Sequence, residues 1–164
     1  MTGRHRGKRW KAIAGAAFAA LLVAGVGGTL TDISPWYLGL RQPSWKPPDW
    51  AFGPIWTIVL SLWAVAAYLS WRVAPGNRAR AEIIGFFSLN GLLNIIWSWL
   101  FFRFQRPDWA LVEAGLLWLS IAILIWITSK LDRRASLLLV PYLIWVTAAF
   151  VLNLQVVQLN PPVG

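Results

Sequence analysis

The amino-acid sequence predicts an all-α membrane protein, a five-transmembrane-helix bundle with a long Pro/Trp-rich loop between its first and second helices. Hydrophobic residues make up 58% of the 164-residue chain and charged residues only 13%, a balance outside the usual range of soluble domains. Five apolar runs each reach the roughly 18 residues that an α-helix needs to cross the hydrocarbon core of a bilayer. The length suits a single membrane domain covering residues 1–164.

The five predicted helices follow a basic tail. The tail covers about residues 1–11, the helices about 12–30, 54–72, 81–104, 109–130 and 135–159, and the long loop about 31–53. Because the connections after the second helix are short, consecutive helices are expected to be antiparallel neighbours in one bundle.

The first predicted helix carries a small residue at every fourth position. The stripe continues from Ala12 through Ala16, Ala20, Ala24 and Gly28. Small residues at this spacing let two helices approach closely in lipid. Two interpretations stay open: the face of a homodimer, or packing against another helix of the same chain.

The long loop contains the segment WYLGLRQPSWKPPDWAFGPIW, from Trp36 to Trp56. Each proline fixes φ and lacks a backbone donor, and the residue before it is pushed towards extended conformations, so the segment cannot form one continuous helix. A long loop with this much aromatic surface is typically functional. We therefore predict a lid that folds over the mouth of the bundle.

Three tryptophans lie near the middle of predicted helices, whereas most of the others lie near helix ends, where aromatic side chains anchor membrane proteins. The three are Trp63, Trp118 and Trp145. An indole N–H at that depth needs a hydrogen-bond partner. Core packing explains any one of them equally well, but three at similar depth beneath an aromatic lid favour a pocket.

Polar residues within the spans indicate where the interior of the bundle lies. Asn90 and Asn94 are one helical turn apart on the third helix and share a face, and buried amides in lipid must face protein or a cavity. Glu113 on the fourth helix is costly to bury without a partner, and the nearest basic residues along the chain are Arg103 and Arg106.

The composition excludes several classes of function. The chain has no Cys and one His, which excludes disulfides, Cys-based zinc sites and thiol catalysis. No carboxylate pair, catalytic triad, P-loop or dinucleotide-binding glycine pattern can be assembled, so we assign no catalytic residue, no metal site and no required cofactor. The net charge of +9 is concentrated beside the spans, which indicates the lipid bilayer rather than nucleic acid as the partner.

Three motifs in order resemble the TspO/translocator protein family, also known as tryptophan-rich sensory proteins or peripheral-type benzodiazepine receptors. They are PSWKPPDWAFGPIWT in the loop, LNIIWSWLFF in the third helix and PYLIWVTAAFVLN in the fifth. The resemblance implies a five-helix membrane protein, often a homodimer, that binds tetrapyrroles such as protoporphyrin and, in animals, cholesterol and synthetic drug ligands.

The resemblance also implies a ligand pocket beneath the lid. Its candidate residues, together with mid-span Trp63, are Trp36, Tyr37, Trp56, Asn90, Asn94 and Trp145. In the loop, Arg41 and Lys46 are candidates to contact the propionates of a porphyrin. The family usually reads WTxLY after the FGP motif, whereas this chain reads WTIVL, so Leu60 stands where the tyrosine would be.

The expected function is binding of porphyrins, and also of sterol-like lipids, in transport or in stress sensing. One alternative is an enzyme that degrades bound porphyrin with light and oxygen, and another is a regulator that acts through a protein partner. The segment from Val65 to Arg72 satisfies the permissive pattern proposed for sterol contact, which is weak support for a sterol ligand.

The distribution of basic residues predicts the orientation in a bacterial cytoplasmic membrane. One face carries eleven Lys and Arg residues, in the tail, in the second connection and in the fourth, whereas the opposite face carries four. The positive-inside rule therefore places the N-terminus in the cytoplasm, and the lid and C-terminus outside.

We expect a cysteine introduced near Arg133 to be protected from a membrane-impermeant maleimide in intact cells, and Gly164→Cys to be labelled. The chain has no cysteine of its own, so the introduced thiol is the only target. Labelling near Arg133 without labelling at Gly164 would reverse the predicted topology.

Overall fold

The computed structural model describes residues 3–161, with side chains from Trp10 onward. The helices are α1 (Gly3–Leu30), α2 (Pro35–Gly39), α3 (Asp49–Val73), α4 (Gly76–Ser98), α5 (Pro107–Ser129) and α6 (Arg133–Leu159), and α4 runs directly into a π-helical segment at Trp99–Arg103. Within residues 3–161, five helices are long and apolar enough to cross a membrane: α1, α3, α4 with its π-helical segment, α5 and α6. The predicted fold class is confirmed.

All five long helices begin earlier than predicted, α1, α3 and α4 by five residues or more and α5 and α6 by two. Helix α1 begins at Gly3 rather than near residue 12, because the Lys and Arg residues of the tail are good helix formers and no proline interrupts them. Helix α3 begins at Asp49, five residues before the predicted start at Pro54. A carboxylate in the first turn suits the helix dipole, and Pro54 lies close enough to the start that the helix continues through it.

The lid is correspondingly shorter than predicted and contains a short helix of its own. It covers residues 31–48 rather than 31–53, and α2 begins with Pro35 after Ser34, whose side chain accepts a long hydrogen bond from Tyr37 N at 3.5 Å. Proline at the first helical position and serine before it are favourable helix-start residues. As expected, the segment from Trp36 to Trp56 is not one continuous helix.

The connection from α4 to α5 is built from irregular backbone. The third helix was predicted to cover residues 81–104. It begins earlier, at Gly76, but is α-helical only as far as Ser98 and then widens into the π-helical segment. Gln105 follows with a left-handed φ of 53°, and Pro107 opens α5. Helix interruptions of this kind often occur at functional sites, and here the segment carries Phe102 to the edge of a cavity beneath the lid.

The five long helices form a closed ring in the order α1, α3, α6, α5, α4. The contact between α5 and α6 is the most extensive. Helix α6 also packs on α3, α3 on α1, α1 on α4, and α4 on α5, which closes the ring. Consecutive helices are in contact as expected, but the pairing of α3 with α6 and of α1 with α4 joins helices far apart in the chain.

The small-residue stripe of α1 faces the interior of the same chain. Ala16 lines one cavity of the bundle, Ala24 and Gly28 line another, and Ala20 packs against the main core. This placement favours packing within the chain, and association into a homodimer stays a prediction.

Close approach of α1 to α4 depends on Gly91. A Cβ atom at this position would lie 3.1 Å from Val23 Cγ2 and 3.7 Å from the Trp63 ring. Val23 is itself buried, with 4% of its surface exposed. A larger residue at this point must push α1 away from α3 and α4.

We expect Gly91→Leu to destabilise the bundle by about 1 to 3 kcal/mol, the usual cost of overpacking. The measurement is the fraction unfolded in a denaturing detergent titration, followed by circular dichroism. Gly85→Leu is the matched control, because a Cβ there meets nothing within 4 Å. Equal destabilisation by the two changes would contradict the close approach.

Candidate functional site

A cavity of about 280 Å³ lies beneath the lid, and we call it the outer cavity. It is enclosed by α1, α3, the end of α4 with its π-helical segment, α6 and the lid. Its lining is mostly apolar, with few polar groups, which is the usual composition of a small-molecule site. Among the described residues, no group of three or more His, Cys, Asp and Glu is arranged to hold a metal ion.

Aromatic rings form one wall of the outer cavity. Trp145 makes edge contacts with Trp56, at 6.2 Å between ring centroids, and with Phe52 at 5.5 Å. Trp56 also makes an edge contact with buried Tyr142 at 6.2 Å. The wall therefore combines one tryptophan of α6 with two aromatic residues of α3, and it presents ring surface to a bound molecule.

Polar atoms at this wall differ in how they are satisfied. Asn94 Nδ2 donates a hydrogen bond to Tyr142 Oη at 3.0 Å, which ties α4 to α6. Trp145 Nε1 is buried and has no hydrogen-bond partner within the described part of the chain. Trp145 therefore contributes ring surface to the cavity, while its N–H is a buried donor that the surrounding protein leaves unpaired.

The lid is held to the start of α3 by a cluster of three polar residues. Tyr37 Oη donates to Asp49 Oδ1 at 3.0 Å, Lys46 Nζ donates to the same oxygen, and the Lys46 ammonium lies 5.4 Å from the centre of the Tyr37 ring. Burial raises the pKa of Tyr37. Burial by itself would lower the pKa of Lys46, but hydrogen bonds to Asp49 and Tyr37 outweigh it and raise that pKa. Lys46 is therefore firmly charged.

The other side of the lid is held to the end of α6. Asn160 Oδ1 accepts from Arg41 N at 2.9 Å, and Asn160 Nδ2 donates to Arg41 O at 3.0 Å. Trp45 Nε1 donates to Gln155 Oε1 at 2.7 Å. These groups lie near solvent, so the lid is fastened at this edge by a few exchangeable hydrogen bonds.

The structure brings four of the predicted site residues together at the outer cavity. They are Tyr37, Trp56, Asn94 and Trp145. Leu60, noted as a departure from the family pattern, is buried and lines the same cavity. An aliphatic side chain therefore replaces a phenolic hydroxyl in the wall.

Other predicted site residues lie elsewhere. Trp36 belongs to the lid and packs edge-on against Phe101, at 6.0 Å between ring centroids. Trp63 and Asn90 are buried against each other, with Trp63 Nε1 donating to Asn90 Oδ1 at 2.9 Å. Trp118 donates to Thr147 on the outer surface of α5 and α6. The three mid-span tryptophans therefore lie in three separate environments. The indole N–H groups of Trp63 and Trp118 have hydrogen-bond partners, whereas that of Trp145 has none among the described residues.

The two cations proposed to meet propionates are placed differently. Arg41 is an exposed residue whose backbone, rather than its side chain, makes the contacts with Asn160. Lys46 is half-buried and paired with Asp49, which itself lines the outer cavity. An anionic ligand would therefore compete with Asp49 for Lys46.

Helix α1 also contributes to the cavity wall, which the sequence pattern did not predict. Val23 and Gly27 are buried at the contact with α4, and Ala24 and Gly28 line the cavity beside them. The signal was present in the small-residue stripe, but spacing alone does not say whether such a stripe meets a helix, a second chain or a cavity. Trp97 of α4 also lines the cavity.

Two polar residues of the spans lie near the lid but outside the cavity. Glu113 is 5% exposed, and neither carboxylate oxygen has a hydrogen-bond partner within the described residues. The expected partners are engaged or exposed, since Arg106 pairs with Asp108 and Arg103 faces outward. The side-chain amide of Asn153, oriented so that both of its polar atoms are satisfied, makes hydrogen bonds to the backbone at the start of α5.

The fold and site define a class: multi-pass integral membrane proteins of five helices, with an aromatic cavity closed by a Pro/Trp-rich lid. The sequence model of the TspO/MBR family matches residues 15–159 of this chain. The chain therefore belongs to the TspO/MBR family.

Relatives from distant organisms support the same assignment. The tryptophan-rich protein TspO of Chlorobaculum tepidum is 39% identical over 145 residues, covering 86% of this chain and 90% of the relative. Protein CrtK of Rhodobacter capsulatus is 33% identical, covering 88% and 90%. The human translocator protein is 34% identical over 119 residues, covering 72% and 70%.

The hydrogen bonds at Asn160 predict how easily the lid opens. We expect Asn160→Ala to expose the outer cavity more often, because it removes both contacts to the Arg41 backbone. The readout is the rate at which a maleimide modifies Ser98→Cys, a buried position that lines the cavity. A rise of about fivefold corresponds to the roughly 1 kcal/mol of a typical net hydrogen bond.

Gln158→Ala is the matched control for this change, since Gln158 lies on the same helix end and is exposed. An unchanged modification rate in Asn160→Ala, or an equal rise in the control, would show that Asn160 does not hold the lid.

Proposed function

We propose that this protein binds a flat, apolar, anionic tetrapyrrole of the protoporphyrin type beneath the lid, and that it acts in transport or stress sensing. The observation that carries the proposal is the aromatic wall of the outer cavity, formed by Trp145, Trp56 and Phe52. Ring surface of this kind suits stacking with a flat ligand.

The charges near the cavity also suit an anionic ligand. Lys46 is a charged donor at the lid, next to Tyr37 and Asp49 of the cavity lining. A propionate can replace Asp49 as the partner of Lys46, since a charge-assisted hydrogen bond is gained as another is lost. Binding would then release Asp49 from the lid and change how the lid is held.

The size of the cavity requires the lid to move. At about 280 Å³, the outer cavity is near the lower limit of about 300 Å³ for sites that bury drug-sized ligands. A tetrapyrrole is larger than that limit, so it needs the space beneath the lid to widen. The few exchangeable hydrogen bonds at Asn160 and Gln155 make such opening inexpensive. A lid whose position depends on the ligand provides a signal for sensing and a route for transport.

A second candidate function is breakdown of the bound porphyrin by light and oxygen. The contiguous aromatic contacts from Trp145 through Trp56 to Tyr142 favour it, because they place redox-active rings against the ligand. Leu60 disfavours it, since it puts an aliphatic side chain in the wall. A lasting change in the absorption spectrum of the bound ligand under illumination would select this candidate over simple binding.

We also propose that the protein binds sterol-like lipids, forms a homodimer, and lies in a bacterial cytoplasmic membrane with its N-terminus inside. The sterol suggestion rests on the Val65 to Arg72 pattern, and the orientation on the excess of basic residues at one face. Titration with a sterol alongside protoporphyrin distinguishes the two ligand classes.

We expect Trp145→Ala to weaken protoporphyrin binding by about tenfold or more, because the change removes the stacking surface and leaves a gap in the wall. A factor of ten corresponds to about 1.4 kcal/mol. Quenching of tryptophan emission by the porphyrin measures the affinity, and circular dichroism confirms that the variant is folded.

Trp71→Ala is the control, because Trp71 lies near the opposite end of α3, beyond the outer cavity. Unchanged affinity in folded Trp145→Ala, or an equal loss in Trp71→Ala, would rule out this site for the porphyrin.

A further inference from the structure

A second cavity, of about 580 Å³, lies in the half of the bundle away from the lid, and we call it the inner cavity. We call the end of the bundle that carries Lys11 and Arg80 its basic end. The inner cavity is lined by α1, α3 and α4 and is partly open to its surroundings, and it shares no lining residue with the outer cavity. Its volume lies within the range of established small-molecule sites. The porphyrin proposal does not use it, although Tyr68 and Trp71 of the segment with the sterol-contact pattern line it.

The body of the inner cavity is apolar and elongated. Trp63 and Phe87 lie at its mid-membrane end, and Trp71 lies at its basic end. Trp63 and Trp71 are eight residues apart on α3, so the cavity extends about 12 Å along the helix. Gly15 and Ala16 of α1 form the facing side, and such small residues leave room for a hydrocarbon chain.

The basic end of the inner cavity carries two cations. Lys11 lines the cavity there. Arg80 lies one helical turn before the lining residues Ile83 and Ile84 of α4, and its guanidinium lies 4.9 Å from the centre of the Trp71 ring. A narrow apolar cavity that ends at two cations matches a molecule with a chain at one end and a negative charge at the other.

One atom at this end lacks a partner. Arg80 Nε is buried and makes no hydrogen bond within the described residues. The neighbouring acid, Glu82, is exposed and pairs with exposed Arg78 instead. Among the described residues Arg80 has no acid partner within salt-bridge distance, and an anionic head group is the partner that best suits its positive charge.

We infer that the inner cavity binds an amphiphile with one hydrocarbon chain and a carboxylate head, of the fatty-acid type. The chain extends towards Trp63 and Phe87, and the carboxylate lies between Lys11 and Arg80. This site is independent of the outer cavity, because Val23 packs on Gly91 beside Trp63 and fills the space between the two.

The test uses decanoate and the single cysteine variant Ser88→Cys, in bilayer nanodiscs of phosphatidylcholine. Ser88 lines the inner cavity, and the chain has no other cysteine. We expect decanoate to slow modification of this thiol by N-ethylmaleimide in a saturable manner. The matched control is Thr31→Cys in the outer cavity, which decanoate leaves unprotected.

Two further changes separate a built site from simple partition into lipid. Replacing both cations, by Lys11→Gln with Arg80→Gln, is expected to raise the decanoate concentration for half-protection by about tenfold or more, as for loss of a charge-assisted hydrogen bond. We expect uncharged decanol to protect the thiol more weakly than decanoate in the parent protein. We also expect the protection by decanol to stay unchanged when the two cations are removed.

Substitutions that fill the inner cavity provide an independent test. Ala67→Phe places a ring in the cavity from α3 and is expected to abolish protection, and Ala16→Phe does the same from α1. Circular dichroism and gel filtration select the variant that folds.

Equal protection of the two thiols, equal action of decanol, or protection that survives both the loss of the cations and filling of the cavity would each overturn the inference. The same two thiols keep this result separate from the proposed function. Protoporphyrin is expected to protect Thr31→Cys and not Ser88→Cys, so a failure of porphyrin binding leaves the outcome for decanoate intact.

Discussion

The bundle depends on a hydrogen-bonded tie at mid-membrane depth. Trp63 Nε1 donates to Asn90 Oδ1 at 2.9 Å, and Asn90 Nδ2 donates to Ser120 Oγ at 2.8 Å. Polar groups at this depth have no water to bind, so each must find a partner within the protein. The tie therefore fixes the rotation of α3, α4 and α5 relative to one another. Helix α1 then packs against this layer, where Gly91 leaves room for Val23.

This layer divides the interior into two compartments of different chemistry. On the lid side, aromatic rings of Phe52, Trp56 and Trp145 border a cavity that the lid closes. On the basic side, small residues of α1 leave a longer apolar space that ends at Lys11 and Arg80. The small-residue stripe of α1 borders both compartments, because the helix passes the layer without filling either side. The same stripe that suggests an oligomer face thus shapes two cavities.

The lid is held by several separate contacts, each of which is weak by itself. Trp36 and Tyr37 pack against Phe101 and Phe102 at 6.0 and 5.6 Å between ring centroids. Each aromatic pair contributes about 0.5 to 1.5 kcal/mol beyond burial. The polar groups at both edges exchange readily with water or with a ligand. A rigid bundle with a separately held lid therefore lets ligand binding alter one element without disturbing the helices.

The sequence by itself determined the five spans, the position of the lid and the fact that the lid is not one continuous helix, because span length and proline chemistry are local properties. The family motifs located four residues of the outer cavity: Tyr37, Trp56, Asn94 and Trp145. Only the tertiary structure decided that α3 packs on α6, that α1 lines both cavities, and that Trp63 bonds Asn90. These outcomes depend on how each helix is rotated and which neighbour it meets. Spans that are apolar on every face carry little information about either, since lipid and protein interior are nearly equivalent surroundings for such side chains.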